Sequence, residues 1–208
     1  MIKIEHVTTS GWQEALRGMR NPLNSWDKSD SEFFGDSDFK IGPNDLDLMK
    51  RLTKAGSDHR KFLRMIAVYM DITAPLYWWK EYDTYKVGTV TNSCSTMHTI
   101  SDKEFTLDDF SHEHLVESNI KTLNEIIEKL NIAREDYIWC NKKNKEYWWQ
   151  MIQLLPSSYN QKRTVMMSYE VALHEYFARR NHKLDEWHGY CDELLKLPYF
   201  EILVKEVE

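Results

Sequence analysis

Eight consecutive positions, Thr89-Val90-Thr91-Asn92-Ser93-Cys94-Ser95-Thr96, carry six hydroxyl or amide side chains and one thiol. Such groups donate and accept hydrogen bonds suited to a phosphate or to the edge of a nucleotide base. The simpler reading is a hydroxyl-rich loop that caps the next element. Cys94-x3-His98 and His188-x2-Cys191 could each supply two zinc ligands. Neither is matched by a second pair at zinc-site spacing, so a buried thiol and a satisfied histidine are the simpler reading. His112 and His114, among Asp108, Asp109 and Glu113, read as a helix start with solvated histidines. No metal is expected. Cys94 as a nucleophile needs a base and a lowered pKa, and the sequence names no partner for it, so no catalytic residue is assigned.

Trp78-Trp79 and Trp148-Trp149 fall in expected helices. Each pair serves as core plus interface, or as a wall on which a flat ring stacks. Arg179-Arg180 closes another expected helix, where it favours the helix dipole or aims at a phosphate.

The elements that must position these residues follow from periodicity. Ile2 to Val7 alternates as a strand, and Ser25 to Pro43, rich in Asp, Ser and Gly, is the clearest loop. Asn44 can cap a helix through Leu46, Leu48, Met49 and Leu52 that ends near Gly56. Lys61 to Ile72 reads as a strand, and Pro75 suits the first turn of a helix from Leu76 to about Tyr85. Gly88 breaks that helix, and the polar stretch Thr89 to Thr99 follows. Further helices are expected over Leu115–Leu130, Asn144–Leu155, Thr164 to about Asn181, and Leu184–Leu197. The expected class is α+β, one domain over residues 1–208, with a small antiparallel sheet and several long helices.

Composition bounds the rest. In 208 residues, 27 Lys+Arg stand against 33 Asp+Glu, a net charge of −6 that argues against general nucleic-acid binding. Apolar stretches fall far short of the roughly 20 residues of a membrane span, and the opening residues lack the pattern of a secretory signal. Cys94, Cys140 and Cys191, an odd and widely spaced set, fit reduced thiols in a cytoplasm. Aromatic residues reach 13%, an excess that core, ligand site or subunit interface could each absorb.

The segment from Asp71 to Ser95 resembles the signature region of the flavin-dependent thymidylate synthases. There a strand leads to Ala-Pro, then a helix carrying Arg-Gln, then R-H-R-x-x-S-x-N-E-x-S-x-R-Y. Without gaps, Ala74-Pro75 matches, Lys80-Glu81 falls on Arg-Gln, and Thr84-Tyr85-Lys86 falls on R-H-R. Thr89 takes the first Ser and Cys94 the second. Leu155-Pro156 with Tyr159, then Phe177-Ala178-Arg179-Arg180, then Glu186-Trp187, resembles the family's L-P-x-x-x-Y, F-L-x-L-R and A-Q-W-E-I-R run. The resemblance spans about residues 44 to 195. Departures are marked: Asn-Glu becomes Thr91-Asn92, Arg-Tyr becomes Thr96-Met97, and Tyr169, Val171 and Tyr190 fall where the family has Asn, Arg and Arg.

The resemblance implies a flavin-dependent thymidylate synthase-like fold, assembled as a homotetramer with FAD at subunit junctions. It implies reductive methylation of dUMP to dTMP with methylenetetrahydrofolate and NADPH. Lys86 and Arg180 would then bind cofactor, and Lys80 and Thr89 substrate. The departures leave a second implication open: a catalytically silent homologue that binds a nucleotide-like ligand or a protein partner through the same cleft. A third is a protein without ligand, whose aromatics only stabilise an assembly.

Overall fold

The computed structural model describes residues 2–35 and 38–208. In chain order the elements are β1 (Lys3–Ser10), α1 (Trp12–Arg20), β2 (Glu32–Phe33), β3 (Phe39–Lys40), α2 (Pro43–Lys54), β4 (Ala67–Pro75), α3 (Leu76–Tyr82), β5 (Thr89–Ser93), α4 (Thr96–Thr99), α5 (Glu117–Trp139), α6 (Lys145–Leu154), β6 (Asn160–Ser168), α7 (Tyr169–Arg179), α8 (Asp185–Leu195) and α9 (Phe200–Lys205). The class is α+β, as expected. The main sheet is small, in the order β1-β4-β6-β5, and β2 pairs β3 antiparallel with Phe33 opposite Phe39. Amide bonds from Leu76 to the Tyr159 carbonyl (3.0 Å) and from Tyr169 to that of Ile66 (2.9 Å) fix β4 antiparallel to β6.

Contacts divide the chain into two compact units. The first comprises residues 1–3, 73–84 and 92–163; the second comprises residues 4–72, 85–91 and 164–208. The first is built around α5 and α6, where Phe105, Phe110, Leu123, Ile127, Leu130 and Met151 are buried together. Trp78, Trp79 and Tyr82 fill the inner side of α3, and the Trp79 indole donates to the Gln161 carbonyl at 2.9 Å. Arg163 lies 4.2 Å above the Trp79 ring and donates to Asp83 at 2.7 Å. The Trp78-Trp79 pair is therefore core.

In the second unit Trp12 is buried against Phe39 (4.9 Å), Tyr169 (5.1 Å) and Tyr199 (5.9 Å). Gly11, just before α1, has φ +85° and lies where a Cβ would meet the Met65 carbonyl oxygen at 2.3 Å. Only glycine fits that approach.

Several boundaries differ from expectation, each for a physical reason. The loop Ser25–Pro43 holds one single-turn 3-10 segment, Trp26–Lys28, and the β2–β3 pair; Asp36 and Ser37 lie outside the described residues. Asn44 is inside α2 rather than its cap. The cap is supplied from afar by Asp30, whose carboxylate accepts from the Asn44 and Asp45 amides at 2.9 and 3.1 Å. The expected strand at Lys61 begins as a 3-10 turn, Lys61–Arg64, and becomes extended only at Ala67. Thr89–Ser93 is an edge strand rather than a loop. The expected helix from Thr164 is strand through Ser168, with Gln161, Val165 and Met167 buried in alternation, and the helix starts at Tyr169. Helix α5 runs to Trp139, nine residues beyond its expected end.

Candidate functional site

The residues on the signature positions 85–91 belong to the second unit. Gly88 takes φ +84°, and a Cβ there would lie 2.9 Å from Val171 Cγ2, so this turn is seated directly on α7. Thr89 Oγ1 donates to the Tyr85 carbonyl and closes the turn. The Tyr85 ring stands edge-on to His174 at 5.9 Å and to Trp187 at 6.2 Å. Arg179 Nε donates to the Tyr85 hydroxyl at 2.7 Å, with its guanidinium 4.7 Å from the Trp187 ring. Tyr85, which the sequence resemblance sets on the central histidine of Arg-His-Arg, is thus a phenol clamped between an arginine and an indole.

Gly88→Ala is expected to lower stability by about 1–2 kcal/mol, through left-handed strain and the contact with Val171. Denaturant unfolding of both proteins checks this.

Behind this cluster Trp187 packs on Tyr190 at 5.5 Å, and the Tyr190 hydroxyl donates to Glu175 Oε2. Glu175 is fully buried and its Oε1 has no hydrogen-bond partner. Burial pushes its carboxyl up to about 8, while the Tyr190 hydrogen bond and the Arg179 charge pull it part of the way back. Cys191 is also buried, and burial, with Asp192 and Glu175 adding to it, pushes its thiol up to about 12. A thiol so held is inert at neutral pH.

Of the cofactor candidates, Lys86 is exposed and forms no ion pair among the described residues. Arg180 caps α7, pairs with Glu208, and lies 4.9 Å over the Phe177 ring. Thr89 shares this unit with both. Lys80 is exposed in the last turn of α3, in the first unit. Arg179, which the sequence offered only as half of a pair, is the arginine that meets Tyr85 and Trp187.

The first unit contains a cleft of about 500 Å³. The second half of the hydroxyl-rich segment (Cys94, Thr96 and Thr99) meets the opening of β6 (Asn160, Gln161 and Lys162) there, and the wall also takes in Thr73, Lys103, Tyr159 and the carboxylates of Asp102, Asp108 and Asp109. The Cys94 amide donates to the Lys162 carbonyl, and Gln161 Nε2 to the Cys94 carbonyl, both at 2.9 Å. Gln161 Oε1 accepts from Arg163 Nε at 3.0 Å, so its amide is fixed at both ends. Lys103 pairs with Asp109, and that hydrogen bond raises its ammonium pKa against the opposing effect of burial. Burial, reinforced by Asp109 and Cys94 and opposed by Lys103, raises the Tyr159 phenol, which stays neutral. Ser95 caps α4 by accepting from the His98 amide at 3.3 Å, so part of the polar segment does serve as a cap.

The cleft offers amide and hydroxyl groups beside lysine ammoniums. The amide and hydroxyl groups match a uracil edge, with two carbonyl acceptors and one N–H; because Lys103 is paired with Asp109, a phosphate there would rely on Lys162. Sequence reading missed Asn160, Gln161 and Lys162, which only the strand β6 brings to Cys94, and Lys103, which lies in the loop after α4. All three cysteines are free thiols. Among the described residues, no group of three or more His, Cys, Asp or Glu could hold a metal ion, and no helix is long and apolar enough to cross a membrane.

No family model matches the sequence, and no curated protein is similar to it. Solved structures are. A flavin-dependent thymidylate synthase ThyX from Helicobacter pylori, complexed with FAD and dUMP, superposes with a TM-score of 0.68 at 17% identity, covering 100% of this chain and 99% of that one. A second structure of the Helicobacter pylori enzyme with FAD and dUMP gives 0.64 at 18%, covering 98% of each chain. A UMP/dUMP methylase PolB from Streptomyces cacaoi, bound with 5-Br dUMP, gives 0.65 at 11%, covering 100% and 96%. Identity is low throughout, whereas the likeness runs the length of the chain. The chain therefore has, in divergent form, the flavin-dependent thymidylate synthase fold.

Proposed function

We propose that this chain binds a pyrimidine nucleotide of the dUMP class in the cleft between α4 and the start of β6. We propose that it methylates the base reductively, to dTMP, with methylenetetrahydrofolate as carbon donor, NADPH as reductant and FAD as carrier. The observation that carries the reading is the cleft itself. Its volume suits a nucleotide, and its amide, hydroxyl and ammonium groups converge from α4, the loop that follows it, and the start of β6. The structural neighbours are named for dUMP, for FAD, or for UMP/dUMP methylation.

The donor set for a flavin is reduced but adequate. Two phosphate charges would meet two cations: the exposed Lys86, and Arg180, whose partner Glu208 is itself exposed and exchangeable. Lys86 and Arg180, both in the second unit, would hold the diphosphate; Lys80 and Thr89, expected to bind substrate, are not in the wall of the nucleotide cleft. FAD, when bound, supplies the hydride chemistry. The chain's own residues supply position: Gly88 fixes the turn that presents Lys86, and Gln161, held at both ends, fixes the edge of the nucleotide cleft. The assembly is proposed to be a homotetramer; Val87 and Val90, 91% and 60% exposed beside the edge strand, suit burial against another copy.

The ring cluster supports a second reading, a catalytically silent homologue that keeps the nucleotide. Arg179 is committed to Tyr85 and Trp187, and no histidine or second arginine stands on the signature turn. The experiment that separates the two is reconstitution with FAD, followed by assay of dTMP formed from dUMP, methylenetetrahydrofolate and NADPH. The enzymatic reading expects a yellow protein that forms dTMP and rescues a thymidine-requiring bacterium. A colourless protein that fails to take up FAD overturns it. Lys86→Ala is expected to weaken FAD binding about tenfold, the loss of one charge-assisted contact. Unchanged affinity by fluorescence titration would show that Lys86 is not in the site.

A further inference from the structure

A second cleft, of about 510 Å³, lies wholly in the second unit, between the end of α1, the middle of α2 and the 3-10 turn Lys61–Arg64. Although the chain carries a net charge of −6, this cleft is lined by Arg20, Lys28, Arg51, His59 and Lys61 against the single acid Asp58. Lys28 and Lys61 are exposed and have no ion pair among the described residues. Arg51 is held by Asp47 at 2.9 Å, four residues before it on α2.

Arg20 supplies the independent sign of a ligand. Its side chain is 4% exposed. Nε donates to Asp45 at 2.6 Å and Nη1 to the Ser25 carbonyl at 3.2 Å, but Nη2 has no hydrogen-bond partner. A guanidinium has five donors in a rigid fork suited to an oxyanion, and a buried one rarely leaves a nitrogen unmatched. Holding Asp45 and the Ser25 turn accounts for two of its nitrogens; the third is left without a hydrogen-bond partner, on a residue that lines a cleft with Lys28, Arg51, His59 and Lys61 against one acid.

We propose that this cleft is a binding site for a phosphate-bearing ligand, received by Arg20 together with Lys28 and Lys61. The site is separate from the proposed nucleotide cleft and stands whether or not the chain makes dTMP. The phosphate could be free or part of a larger anion, and two probes distinguish these sources: inorganic phosphate and ADP, each titrated calorimetrically into the full chain at low salt.

Binding is expected for at least one probe. Comparable affinity for both indicates free phosphate, and tighter ADP indicates that the organic part is also read; either supports the site. A Lys28→Gln, Lys61→Gln double variant changes only exposed side chains and is expected to lose about tenfold or more in affinity. Arg20→Lys keeps the charge opposite Asp45 while removing the fork, and is expected to weaken phosphate binding. Thermal unfolding of that variant verifies that it is folded, and the lysine variant carries the test if it is not. Titration with deoxyuridine, which carries no phosphate, is expected to be unaffected by Lys28→Gln, Lys61→Gln, which separates this site from the nucleotide cleft. No binding of either probe, or binding unchanged in the double variant, overturns the proposal.

Discussion

Asp45→Ala is expected to cost about 3–5 kcal/mol of stability, the usual penalty for removing one partner of a buried ion pair. Asp45 is fully buried on the first turn of α2. Its Oδ1 accepts from Arg20, and its Oδ2 from the hydroxyls of Ser29 (2.8 Å) and Ser31 and the amides of Asp30 and Ser31 (both 3.1 Å). One carboxylate thus ties α1 to α2 and folds the segment between them. Removing it strands the Arg20 guanidinium and two amides together. Burial alone would raise its pKa, but the Ser31, Ser29 and Arg20 hydrogen bonds outweigh burial and hold it below the ordinary 3.8. A depressed folded pKa means that the stabilisation is complete above the unfolded value and is lost as pH falls through the folded one. Urea unfolding near pH 7 should show the full loss in Asp45→Ala. The difference from wild type should shrink only below about pH 4; a difference that stays constant to pH 2 would contradict the charged pair.

The second large effect has the opposite sign in pH. Glu175, ordinarily titrating at 4.5, is pushed up to about 8 by burial, with the Tyr190 hydrogen bond and the Arg179 charge only partly opposing it. The folded chain therefore holds this proton at neutral pH while the unfolded chain does not. Stability contributed by the protonated form is complete below 4.5 and drains away as pH rises to about 8. Glu175→Gln keeps an acceptor for Tyr190 and removes the titration. Relative to wild type, the variant should gain on the order of a few kcal/mol between pH 5 and pH 9. Stability curves of the two proteins that run parallel across that range would show that Glu175 is charged in the folded state.

What could be read from the sequence was local. The span of α6, the strand-to-helix passage at Pro75, the turn at Gly88 and the helices α5 and α8 each announce themselves through residues adjacent in the chain. What could not be read depends on partners far away. Asp30 caps α2 from fourteen residues upstream. Val165-Met166-Met167 fits a helix or a strand equally, and only pairing with β4 decides it. The same holds at the site: Thr89, Lys86 and Arg180 were named from a motif, but the hydrogen bond from Arg179 to Tyr85, ninety-four residues apart, follows from the fold. The cleft wall of Asn160, Gln161 and Lys162 was hidden for the same reason as β6 itself. Much of the aromatic excess is core, with Trp12, Trp78, Trp79, Trp187 and Tyr190 all buried, and of these Trp187 stands beside Tyr85 on the signature turn.

The central claim, that this chain binds a pyrimidine nucleotide between α4 and β6, is tested most directly by calorimetric titration of dUMP into the purified full chain and into Lys162→Ala. With Lys28→Gln, Lys61→Gln present to silence the second phosphate cleft, the expected result is saturable, salt-sensitive binding at one site per chain, weakened about tenfold or more when the Lys162 ammonium is removed. Absence of dUMP binding, or binding that Lys162→Ala leaves unchanged, would contradict it.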